Sequence, residues 1–426
     1  MDGPEMTEES VIIWGGRSGW ADRATQRAFL DCIFRDEGFT GLVLEQIEKA
    51  DLSIQGSSDI LGLCQQFIDA LKASGDKEMA TRAQAHERSL QLFIQHSQWV
   101  TQVYHKGNKP DSHAVFWPNP ERDGGMDLRD ILPFVHRHPI LEKDTPLGTA
   151  GSCFAFELSH AMQRKGYNYV VTEPVPDGSD GVWADVGREG GELVDFCAHW
   201  GLLFNAPSFA QLAERAFGER DFGKKLIRED GPGGQKFFSD PYREGVFFAD
   251  PESYLADLKR HIPAVRRALE ECKVFTITPG LNECWQFLDD GTYFSRNPRG
   301  WAAQVMAKPR VLTVEENITA LQRFIDIVRH HNRDIKFIIS LSPIPFLATW
   351  RAQDHHVVSA NSHSKAVLRV AVEEVVARNK DCFYFPSYEL ITACLEAPWT
   401  GDRRHVTREA VDRVMEMFNQ MFVIGA

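Results

Sequence analysis

The chain has 426 residues, of which 43% are hydrophobic and 25% charged, and a formal net charge of −13. That length and composition suit one large core with an extension, or two to three domains, and exclude a chain disordered throughout. So acidic a balance, with no dense Lys/Arg stripe, argues against a nucleic-acid partner, and no stretch approaches the ~20 apolar residues needed to span a bilayer.

The first residues, MDGPEMTEES, are acidic where a signal peptide is basic and then apolar, so the expectation is a soluble cytoplasmic protein. VIIW (11–14) reads as a short strand before the turn GGRSG. Residues 81–105 read as a long amphipathic helix with Leu90, Phe93, Ile94, Val100 and Val103 near one face; Trp99 and Tyr104 lie on it as well. Turn-rich segments at 116–125 and 137–146 are connections. A boundary near residue 140 leaves a mostly helical extension, 1–140, before a main domain, 141–426.

Beyond that boundary short apolar strands alternate with helices. LGTAGSCF leads into a helix that carries Phe156, Leu158, Ala161 and Met162 and ends at Gly166. NYVVTE (168–173), KVFTITPG (273–280), IKFIISLSP (335–343) and CFYFP (382–386) are strand-like, and 314–332 and 364–379 are helical. This alternation predicts an α/β fold with a parallel sheet covered by helices on both faces. The segment around 174–270 is less regular and reads as an insertion or lid. Its glycine-rich stretch EDGPGGQKFF (229–238) lacks the GK[ST] ending of a phosphate loop. Eight cysteines without a CxxC pair suggest neither a disulfide framework nor a zinc ribbon, and most should be small buried side chains.

In open α/β sheets ligands sit beyond the carboxyl ends of the strands. Four segments there carry chemistry: GSC (151–153), GLNE (280–283), SLSP (340–343) and GDRRH (401–405). Cys153 or its neighbour Ser152 is a candidate nucleophile, His405 a base, Asp402 the group that orients it, and the Asn282 amide an oxyanion donor. A histidine or a helix N-terminus beside Cys153 would lower its pKa. The bland alternatives are a buried cysteine in a tight turn, a Ser152 helix cap, an Asn282 cap of a helix starting near Glu283, and a surface His405. Lys365 and Arg369 share a helix face, either as a solvated edge or as a contact to a substrate phosphate or carboxylate. Trp285, Trp350 and Trp399 lie near strand ends, where they line a pocket or fill a core. His355 and His356 beside Asp354 lack metal-ligand spacing, so no metal is expected.

The order of these blocks resembles that of the SGNH (GDSL-like) hydrolases. More narrowly, GSCFA (151–155) with GLLFNAPSFA (201–210), SLSPIPF (340–346), NSHSKAVLR (361–369) and YFPSYEL (384–390) resembles the GSCFA domain family. The resemblance covers about 140–410. It implies a three-layer α/β/α sandwich with a flavodoxin-like parallel sheet. Carried over by position, it places Cys153 at the nucleophile, Ser152 where the superfamily has Asp, and Gly280 and Asn282 in the G-x-N-D block. Glu283 falls at the Asp of that block, Asp402 and His405 in D-x-x-H, and Gly201 at the second-block glycine, with Asn205 nearby. The implied activity is acyl transfer through an acyl-cysteine, as O-acyltransferase or esterase, on a small-molecule or glycan acceptor. An acyl-CoA is admitted as donor, and no cofactor is required. The competing expectation is a non-catalytic glycan- or peptide-binding module on the same scaffold.

Overall fold

The computed structural model describes residues 22–49, 54, 56–74, 76–105, 117–118, 121, 127–174, 176–184, 193–230, 236–298 and 300–425. The strand expected at 11–14 lies outside them, as do the side chains of Trp99, Val100, Val103 and Tyr104. The chain divides into two compact units, Met1–Met126 and Asp127–Ala426.

The first unit is helical: α1 (Arg23–Phe34), α2 (Glu37–Lys49), α3 (Ser57–Ala73) and α4 (Lys77–His105). Leu30, Phe39, Val43, Leu44, Ile60, Cys64, Ile68 and Leu90 form its core. Asp22 caps α1 by accepting the Thr25 N–H at 2.9 Å. Asp36 accepts the Phe39 N–H at 3.1 Å and pairs with Arg82 of α4, which ties the start of α2 to α4.

The second unit runs β1 (Leu147–Gly151), α5 (Cys153–Arg164), β2 (Val182–Ala184), α6 (Ala206–Phe217), β3 (Ile227–Asp230), β4 (Lys236–Ser239), β5 (Val246–Phe248) and α7 (Pro251–Glu271). It continues with β6 (Val274–Thr278), β7 (Glu283–Phe287), α8 (Gly300–Val305), β8 (Ala307–Val311), α9 (Val314–His331), β9 (Lys336–Ser340), α10 (Val357–Arg378), β10 (Cys382–Phe385), α11 (Ser387–Glu389) and α12 (Arg408–Phe422). It is a mixed α/β unit around a four-stranded parallel sheet in the order β1-β6-β9-β10. Every residue of β1 and β6 is buried, which is why these strands read as continuous apolar runs. α5 packs on β1 and α12, while α9 packs on both α6 and α10. The Thr313–Glu316 capping box starts α9, and Arg329, His330 and His331 complement the dipole at its last turn.

Two smaller elements flank the sheet: an antiparallel sheet β2-β5-β4-β3 and the β7-β8 pair. The glycine-rich stretch therefore lies across the β3-β4 hairpin, whose tip at 231–235 is outside the described residues. The less regular region 174–270 supplies α6 and α7, and α6 lies against α9. The strand expected at 168–173 shrinks to one bridge, Tyr169 with Leu147. The Tyr169 hydroxyl meets Thr149 at 2.9 Å, and by Thr172 the backbone has turned to the carbonyl of Cys197.

The segment leading from the sheet edge to α6 is fixed by one glycine. Gly201 has φ 67°, and a Cβ there would lie 2.2 Å from the carbonyl oxygen of Glu244, which accepts the Leu202 N–H at 3.0 Å. Gly201→Ala is therefore expected to cost about 3 kcal/mol, read from the urea midpoint. A loss below ~0.5 kcal/mol would show that the two segments separate freely.

Candidate active site

β1 ends where the backbone is pressed against β6. Gly151 has φ 151°, and a Cβ on it would stand 2.5 Å from the Thr278 carbonyl oxygen, so only glycine closes this strand end. Ser152 follows as the residue preceding α5, its N–H bonded to the Thr278 carbonyl at 3.3 Å. Its hydroxyl does not cap the helix, contrary to expectation. The side chain is 2% exposed and its Oγ has no partner among the described residues.

Cys153 is the first residue of α5 and is only half-buried, which makes it the more accessible of the two candidate nucleophiles. Burial pushes its thiol up. The positive charge of Arg296, the residue's own backbone N–H and Arg404 oppose that rise, while Glu157 adds to it. The expected lowering of the thiol pKa is thus overturned: the helix N-terminus helps, but desolvation outweighs it. The Ala155 N–H is taken by the Ser152 carbonyl at 2.8 Å, so the N–H groups of Cys153 and Phe154 are the candidates for oxyanion donors at this helix start.

Asp402 and His405 are brought together by a tight loop. Trp399 bridges Val406, the Thr400 N–H bonds to the His405 carbonyl at 2.8 Å, and Arg403 takes a left-handed conformation. Asp402 Oδ1 accepts from the Thr400 hydroxyl at 2.7 Å and from the N–H groups of Arg404 and His405 at 2.9 and 3.0 Å. Its Oδ2 lies 2.5 Å from His405 Nδ1. The backbone N–H groups of His405 and Arg404, then the Thr400 hydroxyl and the imidazole, hold this carboxyl well below the usual range. In the tautomer whose Nδ1–H donates to Asp402, Nε2 is the acceptor nitrogen. Arg404 Nη2 reaches the Pro345 carbonyl at 3.3 Å, which sets the loop against the end of β9. Among the described residues no hydrogen bond joins the Cys153 thiol to His405.

The 280–283 segment is held from three sides. Phe204 O accepts the N–H groups of Gly280 and Leu281 at 2.9 and 2.8 Å. The Asn282 N–H donates to Ser364 Oγ at 3.0 Å, and its Nδ2 donates to Leu312 O at 3.2 Å. Asn282 is fully buried with Oδ1 unpartnered, so one of its two amide hydrogens is already committed. No helix starts at Glu283 for Asn282 to cap, because β7 begins there. The Glu283 carboxylate instead accepts from Thr349 and from Arg351 at 2.8 Å, anchoring the loop after β9.

The residues expected to touch substrate mostly serve the fold. Gly201 is required by the close approach of Glu244. Asn205 caps α6 through the Ser208 N–H and donates to Phe294 O at 2.8 Å. Trp285 packs in a satellite core with Phe222, Tyr242, Phe287 and Phe294. Lys365, expected on a helix face beside Arg369, is buried, and its amine donates to the carbonyls of Gly280, Ser342 and Ile344 at 2.9, 2.7 and 2.8 Å. Burial pushes that amine down to about 7. Arg369 is held by Glu373 and Glu389 and lies over the Tyr384 ring. His356 caps α10 through the Val358 N–H, Trp399 packs on the main core, and Trp350 remains 43% exposed. Arg296 and Ser364 were not singled out from sequence. Ser364 lay in the quoted block NSHSKAVLR and Arg404 in GDRRH, whereas Arg296 lay in none.

The family model described as GSCFA family matches residues 146–418. Among curated proteins none matches the sequence. Among solved structures the chain is similar to a carbohydrate esterase family 2 (CE2) enzyme plus carbohydrate-binding domain from Corynascus thermopiles (Myceliophthora fergusii). The identity is 14%, 67% of each chain is covered, and the TM-score is 0.27, a likeness too distant to carry an argument. No helix among the described residues is long and apolar enough to cross a membrane.

The electrostatics of Cys153 have a measurable consequence. Its carbamidomethylation rate, followed by peptide mass against pH, is expected to show a midpoint above the ~8.5 of a free thiol. The midpoint should move higher still in Arg296→Met and Arg404→Met. A wild-type midpoint below ~7.5 would mean instead that the resting protein holds Cys153 as a thiolate.

Proposed function

The chain belongs to the GSCFA family, and from that premise and the site geometry we propose that it is an acyl-transfer enzyme on a three-layer, SGNH-like α/β/α scaffold. The observation that carries this reading is the Asp402–His405 pair, preassembled on the loop that meets the end of β9. It lies on the same edge of the sheet as Cys153 at the N-terminus of α5.

In the proposed reaction the Cys153 thiol approaches an acyl carbonyl while His405 Nε2 takes its proton. The Sγ–C bond forms and the carbonyl π electrons move to oxygen. The oxyanion is held by the first N–H groups of α5 and by the remaining Asn282 amide hydrogen. Collapse expels the leaving group, which takes the proton back from His405 and leaves an acyl-cysteine. Water or a hydroxyl on a carbohydrate-like or small-molecule acceptor then attacks, with its proton going to His405, and Cys153 is restored. Ionised Asp402 keeps Nδ1 protonated throughout. A thioester such as an acyl-CoA is the proposed donor, and the chemistry requires no cofactor. Eight free cysteines fit a reducing cytoplasm. The resting gap between thiol and imidazole favours a second reading, a crevice that binds a glycan or peptide without chemistry.

Intact mass after brief exposure to acetyl-CoA, and separately to p-nitrophenyl acetate, separates the two readings. Acyl-transfer predicts an acetyl adduct that survives in Ser152→Ala and vanishes in Cys153→Ala. Adduct formation should slow by about 10⁴-fold in His405→Ala and somewhat less in Asp402→Asn. Loss confined to Ser152→Ala moves the nucleophile one residue upstream, and no adduct with either donor favours the binding crevice.

A further inference from the structure

Lys365 is 2% exposed on α10 and has no carboxylate partner among the described residues; the hydrogen bonds it makes to them go to backbone carbonyls. Two of these, from Ser342 and Ile344, precede prolines. The loop after β9 reads Ser342-Pro343-Ile344-Pro345, so its second and fourth residues have no N–H. A buried loop of that kind cannot satisfy its carbonyls from its own backbone. The third carbonyl belongs to Gly280, in the loop after β6. An ammonium has three N–H donors, one for each carbonyl, whereas a neutral amine leaves one carbonyl unpaired.

The residue before it acts on the same loop, since Ser364 Oγ accepts the Asn282 N–H at 3.0 Å. One turn of α10 thus grips the 280–282 segment at two points and the proline loop at two more. What is gripped abuts the candidate nucleophile: a Cβ built on Gly280 would lie 3.3 Å from Ser152 Cβ and 3.6 Å from Ser342 Cβ. A shift of either loop therefore moves the floor beneath Ser152 and Cys153.

We infer that Lys365, seconded by Ser364, is a positioning residue that sets the 280–282 loop against the nucleophile turn by cross-linking it to the proline loop after β9. Lys365 does not touch substrate; it acts through Gly280 and Asn282. Only the consequence for rate rests on the acyl-transfer reading, because the clamp itself is a statement about two loops.

The test uses the full chain with Lys365→Met, which fills the space without donors, and Lys365→Ala with n-propylammonium, which returns the missing atoms and all three donors. Amide hydrogen exchange at 280–282 is expected to quicken at least about tenfold in Lys365→Met while β1 and β6 keep their protection. Acetylation of Cys153 by p-nitrophenyl acetate should fall about 100-fold, mainly in kcat. In Lys365→Ala, propylammonium should restore acetylation at least tenfold, and 1-propanol should not. Unchanged exchange at 280–282, or kcat within twofold of wild type in a folded variant, overturns the inference. Should both variants unfold, a fold recovered with propylammonium but without recovered exchange protection at 280–282 overturns it, as does failure of propylammonium to restore the fold. A wild type that forms no acyl adduct removes the proposed function, and the exchange measurement then still decides the clamp.

Discussion

Where four parallel strands end together, the chain leaves the hydrogen-bonded ladder while still buried, and each carbonyl and N–H stranded there needs a partner from elsewhere. This constraint shapes the carboxyl edge of the sheet. Phe204 O takes two N–H groups from the loop after β6, and Gly151 O takes the Leu203 N–H at 2.8 Å. Ser342 N–H reaches the Pro279 carbonyl, and Lys365 closes the remaining account with three carbonyls. The segment 201–205, the loop after β6 and the loop after β9 therefore form one hydrogen-bonded platform, and the Gly151–Cys153 turn stands on it. Strain is concentrated where the platform is thinnest, at Gly151 and Gly201, which hold backbone approaches that no other residue tolerates.

The same edge keeps several polar atoms out of contact with any partner. Ser152 Oγ, Thr278 Oγ1, Asn282 Oδ1 and Ser342 Oγ are all buried and unpartnered. Among the described residues they have no hydrogen-bond partner, and a buried group left so carries a desolvation penalty of about 1–3 kcal/mol.

What was legible in the sequence follows burial and spacing. β1, β6, β9 and β10 stand where apolar runs placed them, because strands buried in a parallel sheet carry little polar alternation to confuse them. Asp402 and His405 were legible as a pair because three residues of loop fix their separation. Lys365 was not, because its role depends on prolines 22 and 20 residues upstream, and a lysine in a helical pattern reads as a surface residue. Asn282 likewise looked free. Its bond to Leu312 O exists only because β7 and β8 pair and carry Leu312 back beside it. The direction of the thiol shift depended on how deeply the α5 turn sits, and no local motif states that.

The electrostatic arrangement distinguishes this site from one built around a standing thiolate. A half-buried thiol whose pKa is raised by desolvation stores little nucleophilicity at rest. In the proposed reaction it loses its proton as the new bond forms, which calls for a base oriented beforehand, the part proposed for His405 on the Asp402 loop. Arg296 and Arg404 oppose the rise in pKa, and in the proposed reaction their field favours the negative charge that the resting thiol lacks. An arrangement of this kind resists adventitious oxidation of Cys153, because oxidants attack the thiolate. In the proposed reaction it also places the demand for precision on the loops offered as oxyanion donors, which are the loops that the platform of strand-end hydrogen bonds holds.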